Sequence, residues 1–301
     1  VNDSDLSASA ADTPLAEVQV CRVCGDEPTV ASDLLAVEEP LEIRLGWHAG
    51  GRRVHRPVSV TMRTPGNDAE LAVGFLFAEG IVERPEQVAG IHPSDSDDAI
   101  RVDLAPGVGI DLTRLERHFL TSSSCGVCGK AFLAAVHVAS RNSLVDGRPL
   151  VEAAAIHRLP AALRSAQTVF NRTGGLHAAA LFNADGQMIC LREDVGRHNA
   201  VDKLIGAQFR AGTTPLTNSV LLVSGRVSFE LVQKAATAGI PILAAVGAPS
   251  SFAVRLAQEH GMTVLGFVRD DRFNVYTGAE RIRQTAAVTV EAAVNLAPSI
   301  P

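Results

Sequence analysis

Ser124-Cys125-Gly126-Val127-Cys128-Gly129-Lys130 is the segment whose residue types point most directly to chemistry. Two thiols three positions apart can face one another, and the flanking glycines remove side chains that would shield the sulfurs from a partner. Lys130 and the start of the helix-like run behind it favour a thiolate over a thiol. The same spacing serves half of a zinc site. A second pair, Cys21 and Cys24, either completes four thiolates around a metal or stands apart as an independent feature. Cys190 follows Met188-Ile189 in a strand-like run and reads as a buried structural thiol.

Polar residues cluster downstream. Thr173-Gly174-Gly175-Leu176-His177 sets an imidazole just past a glycine turn, where it can donate a proton, ligate a metal or be a satisfied polar group. Glu193-Asp194-Val195-Gly196-Arg197-His198-Asn199 packs two acids, a cation, an imidazole and an amide into the entry of a helix. Such density suits binding of a polar ligand. Asp202 and Lys203, further along that helix, read as surface charges. Ser224-Gly225-Arg226-Val227-Ser228 and Gly247-Ala248-Pro249-Ser250-Ser251 each join the end of an apolar run to a helix, and Arg269-Asp270-Asp271-Arg272 follows a third run. In an open α/β sheet ligands collect at this edge, where free helix amides face anions. Arginine can fork onto phosphate, and aspartate can accept from the N1 and exocyclic amine of guanine. No GxxxxGKS/T segment occurs, and no GxGxxG opens a helix after a strand.

The elements that must hold these groups are legible as runs. Val220–Val223, Ile240–Val246 and Thr263–Val268 are nearly continuous apolar stretches, as expected of strands buried on both faces. A helix through Phe229, Val232 and Ala236 ends at Gly239, and another begins at Ser250 or Ser251 and ends at Gly261 with Val254 and Ala257 inward. That alternation predicts a layered α/β domain over residues 149–295. Upstream, Leu41–Leu45 and Val58–Val60 alternate like strands of a small sheet, and a helix capped by Asn67 carries Leu71, Phe75 and Leu76 on one side before Gly80. This gives a smaller mixed α+β domain over 34–148, with a turn at Asp146-Gly147-Arg148-Pro149 as the boundary. Residues 1–33 show no apolar period and read as a mobile tail, with a second short tail over 296–301. The 301 residues carry a formal net charge of −6, so there is no global positive field to hold nucleic acid or an anionic membrane. Neither a membrane span nor a signal peptide is evident, and five cysteines suit a reducing cytoplasm better than a disulfide framework.

In their order, Cys125-Gly126-Val127-Cys128-Gly129, Thr173-Gly174-Gly175-Leu176-His177-Ala178-Ala179, Glu193 through Leu204 and Ser224 through Lys234 resemble the formate dehydrogenase accessory family FdhD. Gly74–Ile81 and Val275-Tyr276-Thr277 extend the resemblance, which runs from about Glu38 to Gly278. It implies a cytoplasmic sulfurtransferase that takes sulfur from a cysteine desulfurase as a persulfide. The sulfur passes to the molybdenum or tungsten of a bis(molybdopterin guanine dinucleotide) cofactor, a bound substrate, for formate dehydrogenase. Cys125 is then the persulfide carrier and Cys128 its helper, with no resident metal. The cofactor segment falls on Phe267, Val268, Arg269, Asp270, Asp271 and Arg272, joined by His177, Arg197, His198, Ser224, Gly225 and Arg226. A cytidine-deaminase-like C-terminal fold and a homodimer are also implied. Gly175 and Leu176 stand where the family can carry a further cysteine before the histidine, so a third thiol has no part here. Two other readings compete. One is a cofactor-binding chaperone without catalysis. The other is a zinc deaminase, which is disfavoured because Ala179 occupies the place of its acid and no PCxxC occurs in the C-terminal half.

Overall fold

The computed structural model describes residues 13–94, 98–109, 144 and 147–284. Cys125, Cys128 and the helix-like run after them lie outside the described residues. Two sheets dominate. In the first, β3 (Glu39–Ala49) pairs antiparallel with β4 (Arg52–Arg63) and parallel with β6 (Ala99–Leu104), which pairs antiparallel with β5 (Val88–Pro93). The strand order is β4-β3-β6-β5. Alternation decides which side faces in: Leu41, Ile43, Leu45 and Trp47 are buried, while Arg44 and His48 are exposed.

The second sheet has six strands, ordered β13-β12-β11-β10-β8-β9. Its strands are β8 (His177–Asn183), β9 (Met188–Asp194), β10 (Ser219–Val223), β11 (Ile242–Ala245), β12 (Thr263–Gly266) and β13 (Asn274–Thr277). β10, β11 and β12 are parallel and wholly buried, as their apolar runs predict. Both faces are covered. One faces α2 (Ala153–Ala166) through Ile156, Leu159 and Leu163. The other packs on α4 (Arg197–Arg210), α5 (Phe229–Thr237) and α6 (Ser251–Glu259). Ser250 caps α6, its Oγ accepting from Ala253 N–H at 3.2 Å. Ala253, Leu256 and Ala257 form its buried side; Val254 is only half-buried.

The helix at Asn67 is α1 (Asp68–Ala78), and two details differ from expectation. Asn67 adopts φ 61° and makes no side-chain cap, a left-handed conformation that asparagine tolerates. The helix is enclosed on several sides: Leu71, Ala72, Val73, Gly74, Leu76, Phe77 and Ala78 are all buried. It crosses α4 backbone against backbone. A Cβ on Gly74 would stand 1.9 Å from Asp202 O, and one on Gly206 would stand 1.9 Å from Glu70 O. Only glycine permits this approach. The inward face of the first sheet and one face of the second therefore share a single apolar core, from Leu41 and Ile43 to Leu221 and Leu243.

The stretch read as a tail is corrected in part. Residues 15–36 form an antiparallel ribbon of β1 (Leu15–Cys24) and β2 (Glu27–Ala36), turned at Gly25 with φ 63°. Cys21 and Cys24 both lie in β1 and are exposed. An odd spacing places them on opposite faces of a strand, so they do not form a ready-made two-thiol bite. Further short elements are α3 (Phe170–Thr173) and the paired β7 (Val151–Glu152) and β14 (Ile282–Arg283). Among the described residues no helix is long and apolar enough to cross a membrane.

Candidate functional site

The ends of β8 and β10 and the loops after β10, β11 and β12 converge on a cavity of about 670 Å³. This is the strand edge at which the sequence places a ligand. His177 opens β8, and its Nδ1 lies 3.3 Å from Ser224 Oγ. That hydroxyl oxygen also accepts from Ala178 N–H at 2.9 Å, which fixes its position. Gly225 follows in the next turn, where a Cβ would sit 3.5 Å from both His177 Cε1 and Arg197 Cδ, an ordinary contact distance. Burial first, then the nearby Arg197 and His198, hold the His177 imidazole below the ordinary value of 6.5. His177 is therefore neutral at pH 7, able to donate one hydrogen bond and accept another.

The segment 267–272 divides. Phe267 is exposed and adopts φ 53°. Val268 is buried and reaches the cavity wall. Arg269 Nη1 donates to Val246 O at 2.8 Å and Val268 O at 2.9 Å, so this guanidinium braces the loop it stands on. Arg269 N–H closes the turn onto Arg272 O at 2.8 Å, and Asp270 lines the cavity. Asp271 and Arg272 are exposed and lie off its wall. So does Arg226, which is exposed beside Gly247.

The dense motif at the start of α4 performs more than one task. Asp194 is fully buried and accepts from Thr64 N–H at 3.2 Å, Gly196 N–H at 2.8 Å and Asn199 Nδ2 at 3.0 Å. Lys203 Nζ lies 2.8 Å from the same carboxylate and donates to Thr64 O at 2.7 Å. The reading of Asp202 and Lys203 as surface charges is thus corrected: both are buried, and Asp202 accepts from Lys234 Nζ at 2.7 and 2.9 Å. Burial pushes the Asp202 carboxyl up against the pull of Lys234. Burial alone would lower Lys234, but the Asp202 and Glu79 carboxylates outweigh it and raise it. Glu193 caps α3, accepting from Val169 N–H at 3.0 Å and Phe170 N–H at 2.8 Å.

His198 faces away from the cavity. Its Nε2 lies 2.8 Å from Glu230 Oε2 and 3.0 Å from Ser228 Oγ, in a separate crevice of about 290 Å³ shared with Asn199, Asp202 and Lys234. The His198 hydrogen bond lowers Glu230. Arg197 stands between the two depressions, with Nε buried and without a hydrogen-bond partner. Cys190 is half-buried on β9, and burial pushes its thiol up, as a structural role predicts. Sequence reasoning missed the cavity's apolar wall, Pro160, Leu163, Phe170 and Leu176, and the Arg164 guanidinium 4.5 Å over the Phe170 ring. The periodicity of α2 was the available signal, with Ile156, Leu159 and Leu163 at helical spacing.

Comparison with known proteins gives the chain its family and its fold. The chain is 49% identical over 279 residues to the sulfur carrier protein FdhD of Streptomyces coelicolor, covering 90% of this chain and 96% of that one. It is 50% identical over 275 residues to sulfur carrier protein FdhD of Mycobacterium tuberculosis, covering 88% and 97%. With the protein of that name from Sulfolobus acidocaldarius it shares 42% over 266 residues, covering 88% and 98%. A crystal structure of a candidate formate dehydrogenase accessory protein from Desulfotalea psychrophila has the same fold. Its TM-score is 0.69 at 24% identity, covering 90% of this chain and 100% of that one. The FdhD/NarQ family model matches residues 36–283, and the chain belongs to the FdhD/NarQ family.

Proposed function

We propose that this chain is a sulfurtransferase that carries sulfur on Cys125 for formate dehydrogenase. The Cys125 thiolate takes the outer sulfur of a cysteine desulfurase persulfide, and the desulfurase cysteine departs as a thiolate. The outer sulfur of the Cys125 persulfide would then pass to the metal of the bound substrate, bis(molybdopterin guanine dinucleotide) carrying reduced molybdenum: the S–S bond breaks, Cys125 leaves as a thiolate, and the metal supplies the two electrons that make the sulfur a sulfido ligand. Cys128 assists in relay or resolution.

The observation that carries this reading is the cavity of about 670 Å³ at the strand edge, in a chain of this family. Its size suits one nucleotide arm of the substrate. Asp270 accepts from the guanine edge, the Arg164 and Phe170 pair offers a stacking surface, and neutral His177 with Ser224 binds polar groups of the ligand. Phe267, Val268 and Arg269 hold Asp270 in place, while Asp271, Arg272, Gly225 and Arg226 form the rim. Arg197 and His198 belong to the supporting layer. In this reading residues 149–295 are a cofactor-binding domain of cytidine-deaminase-like topology, 34–148 carry the cysteine loop, and the protein works as a homodimer in the cytoplasm.

Mass spectrometry after incubation with a cysteine desulfurase and cysteine is the direct test. A gain of one sulfur should map to the peptide holding Cys125. Cys125→Ala should leave formate dehydrogenase inactive in a host lacking its own accessory protein. Full activity with that variant would refute the carrier role.

A further inference from the structure

The outward face of the first sheet has no place in the sulfur chemistry, yet it is built around one buried anion. Asp103 on β6 is 0% exposed. Arg53 Nη2 lies 2.7 Å from it, Arg101 Nε 3.2 Å, His92 Nε2 3.3 Å and His55 Nδ1 3.8 Å. These side chains come from β4, β5 and β6. The well that admits Asp103 exists because Gly46 on β3 has no side chain: a Cβ there would stand 2.1 Å from Asp103 Oδ1.

One carboxylate cannot neutralise two permanent guanidiniums. Among the described residues of these four strands, the other acid on this face, Glu42, pairs with Arg44. The face keeps positive charge on a chain whose formal total is −6. Each guanidinium carries five N–H donors and commits one of its nitrogens to Asp103. The Arg53 and Arg101 side chains remain 47% and 36% exposed, so the other donors stay in reach of a ligand. Asp103 holds both in place beforehand, which lowers the entropy lost on binding. Further along β4, on the same face by register with Pro40 and Glu42, Met62 and Val60 are 47% and 56% exposed.

We infer that this face docks an acidic, partly apolar segment of a partner protein, its carboxylates on Arg53 and Arg101 and its apolar side chains on Val60 and Met62. Arginine at one end of this face and methionine at the other are both residue types enriched at protein interfaces, and an extended segment can span them. A polynucleotide would leave the apolar half of the patch uncovered and would meet the net negative charge of the chain. The inference stands independently of the sulfur-carrier reading.

The test is fluorescence polarisation of a labelled peptide of Glu-Glu-Leu repeats titrated with the full chain. Binding should weaken about ten-fold or more in Arg53→Glu/Arg101→Glu and in Met62→Glu. It should hold in Arg255→Glu, on the distant α6, and should weaken as ionic strength rises from about 0.05 M to about 0.3 M. Circular dichroism checks folding; if the double reversal unfolds, Arg53→Gln and Arg101→Gln are measured singly and should each weaken binding. No binding by the parent chain, binding indifferent to these substitutions, or tighter capture of a duplex DNA oligonucleotide than of the peptide would each overturn the inference.

Discussion

The two depressions flanking Arg197 use similar residues to opposite ends. In the crevice, Asp202, Lys234, Glu230 and His198 satisfy one another. Beside it, Asp194 and Lys203 do the same beneath the Thr64 backbone. In the cavity, Arg164, Gln167, His177, Ser224, Arg269 and Asp270 stand among apolar residues such as Pro160, Leu163 and Phe170. Charge paired with charge ties α4 to α5 and, through the Thr64 backbone, to the end of β4, whereas the cavity's polar groups stand on a largely apolar wall. Ionisable residues line both depressions, so it is their mutual pairing that marks the brace, and groups left facing the cavity that mark the candidate site.

Removing a charge from the brace sharpens this contrast most. Lys203→Met should destabilise the chain by about 3 kcal/mol, the low end for a broken buried pair, because N–H donors from Thr64, Gly196 and Asn199 still serve Asp194. Urea denaturation measures the loss; Asp270→Asn, in the cavity, should shift stability by no more than about 0.5 kcal/mol. Equal losses would erase the distinction. Next in size, Gly206→Ala forces a methyl onto the Glu70 carbonyl and should cost about 1–3 kcal/mol, read as a lower thermal midpoint. An unchanged midpoint would mean that α1 and α4 do not depend on their close crossing. The smallest effect is in pH. His177 titrates below 6.5 when folded, so the unfolded chain binds the proton first. Its contribution is complete above about pH 6.5 and is lost as pH falls through the folded value. An NMR titration should place the His177 midpoint below 6.5, and a midpoint at or above it would show the imidazole to be free of both burial and Arg197.

Much of the layered sheet is readable in the chain because Val220–Val223 and its two companions are buried on both faces, and such strands must be apolar throughout. The loops that follow them could be placed together at one edge of the sheet, where the cavity lies, for the same reason. Asp202 and Lys203 deceived because burial of a charge depends on a partner distant in sequence: Lys234 for one, Asp194 for the other. No local pattern announces such a pairing. The ribbon of β1 and β2 escaped for another reason: none of its residues is fully buried, and its apolar alternation, Ala16, Val18 and Val20 against Glu17 and Gln19, is short and confined to β1. Arg269 shows a third limit: its charge suggested a phosphate partner, and nothing in the sequence pattern announced that its Nη1 also donates to two backbone carbonyls.

The meeting of Gly74 with Gly206 leaves no side-chain cushion along which two domains could slide. Hinge rotation of one sheet against the other would have to tear this seam and the shared core together. Any rearrangement at the cavity is accordingly expected in the loops after β10, β11 and β12, around a stationary chassis, and not in a closure of one sheet on the other.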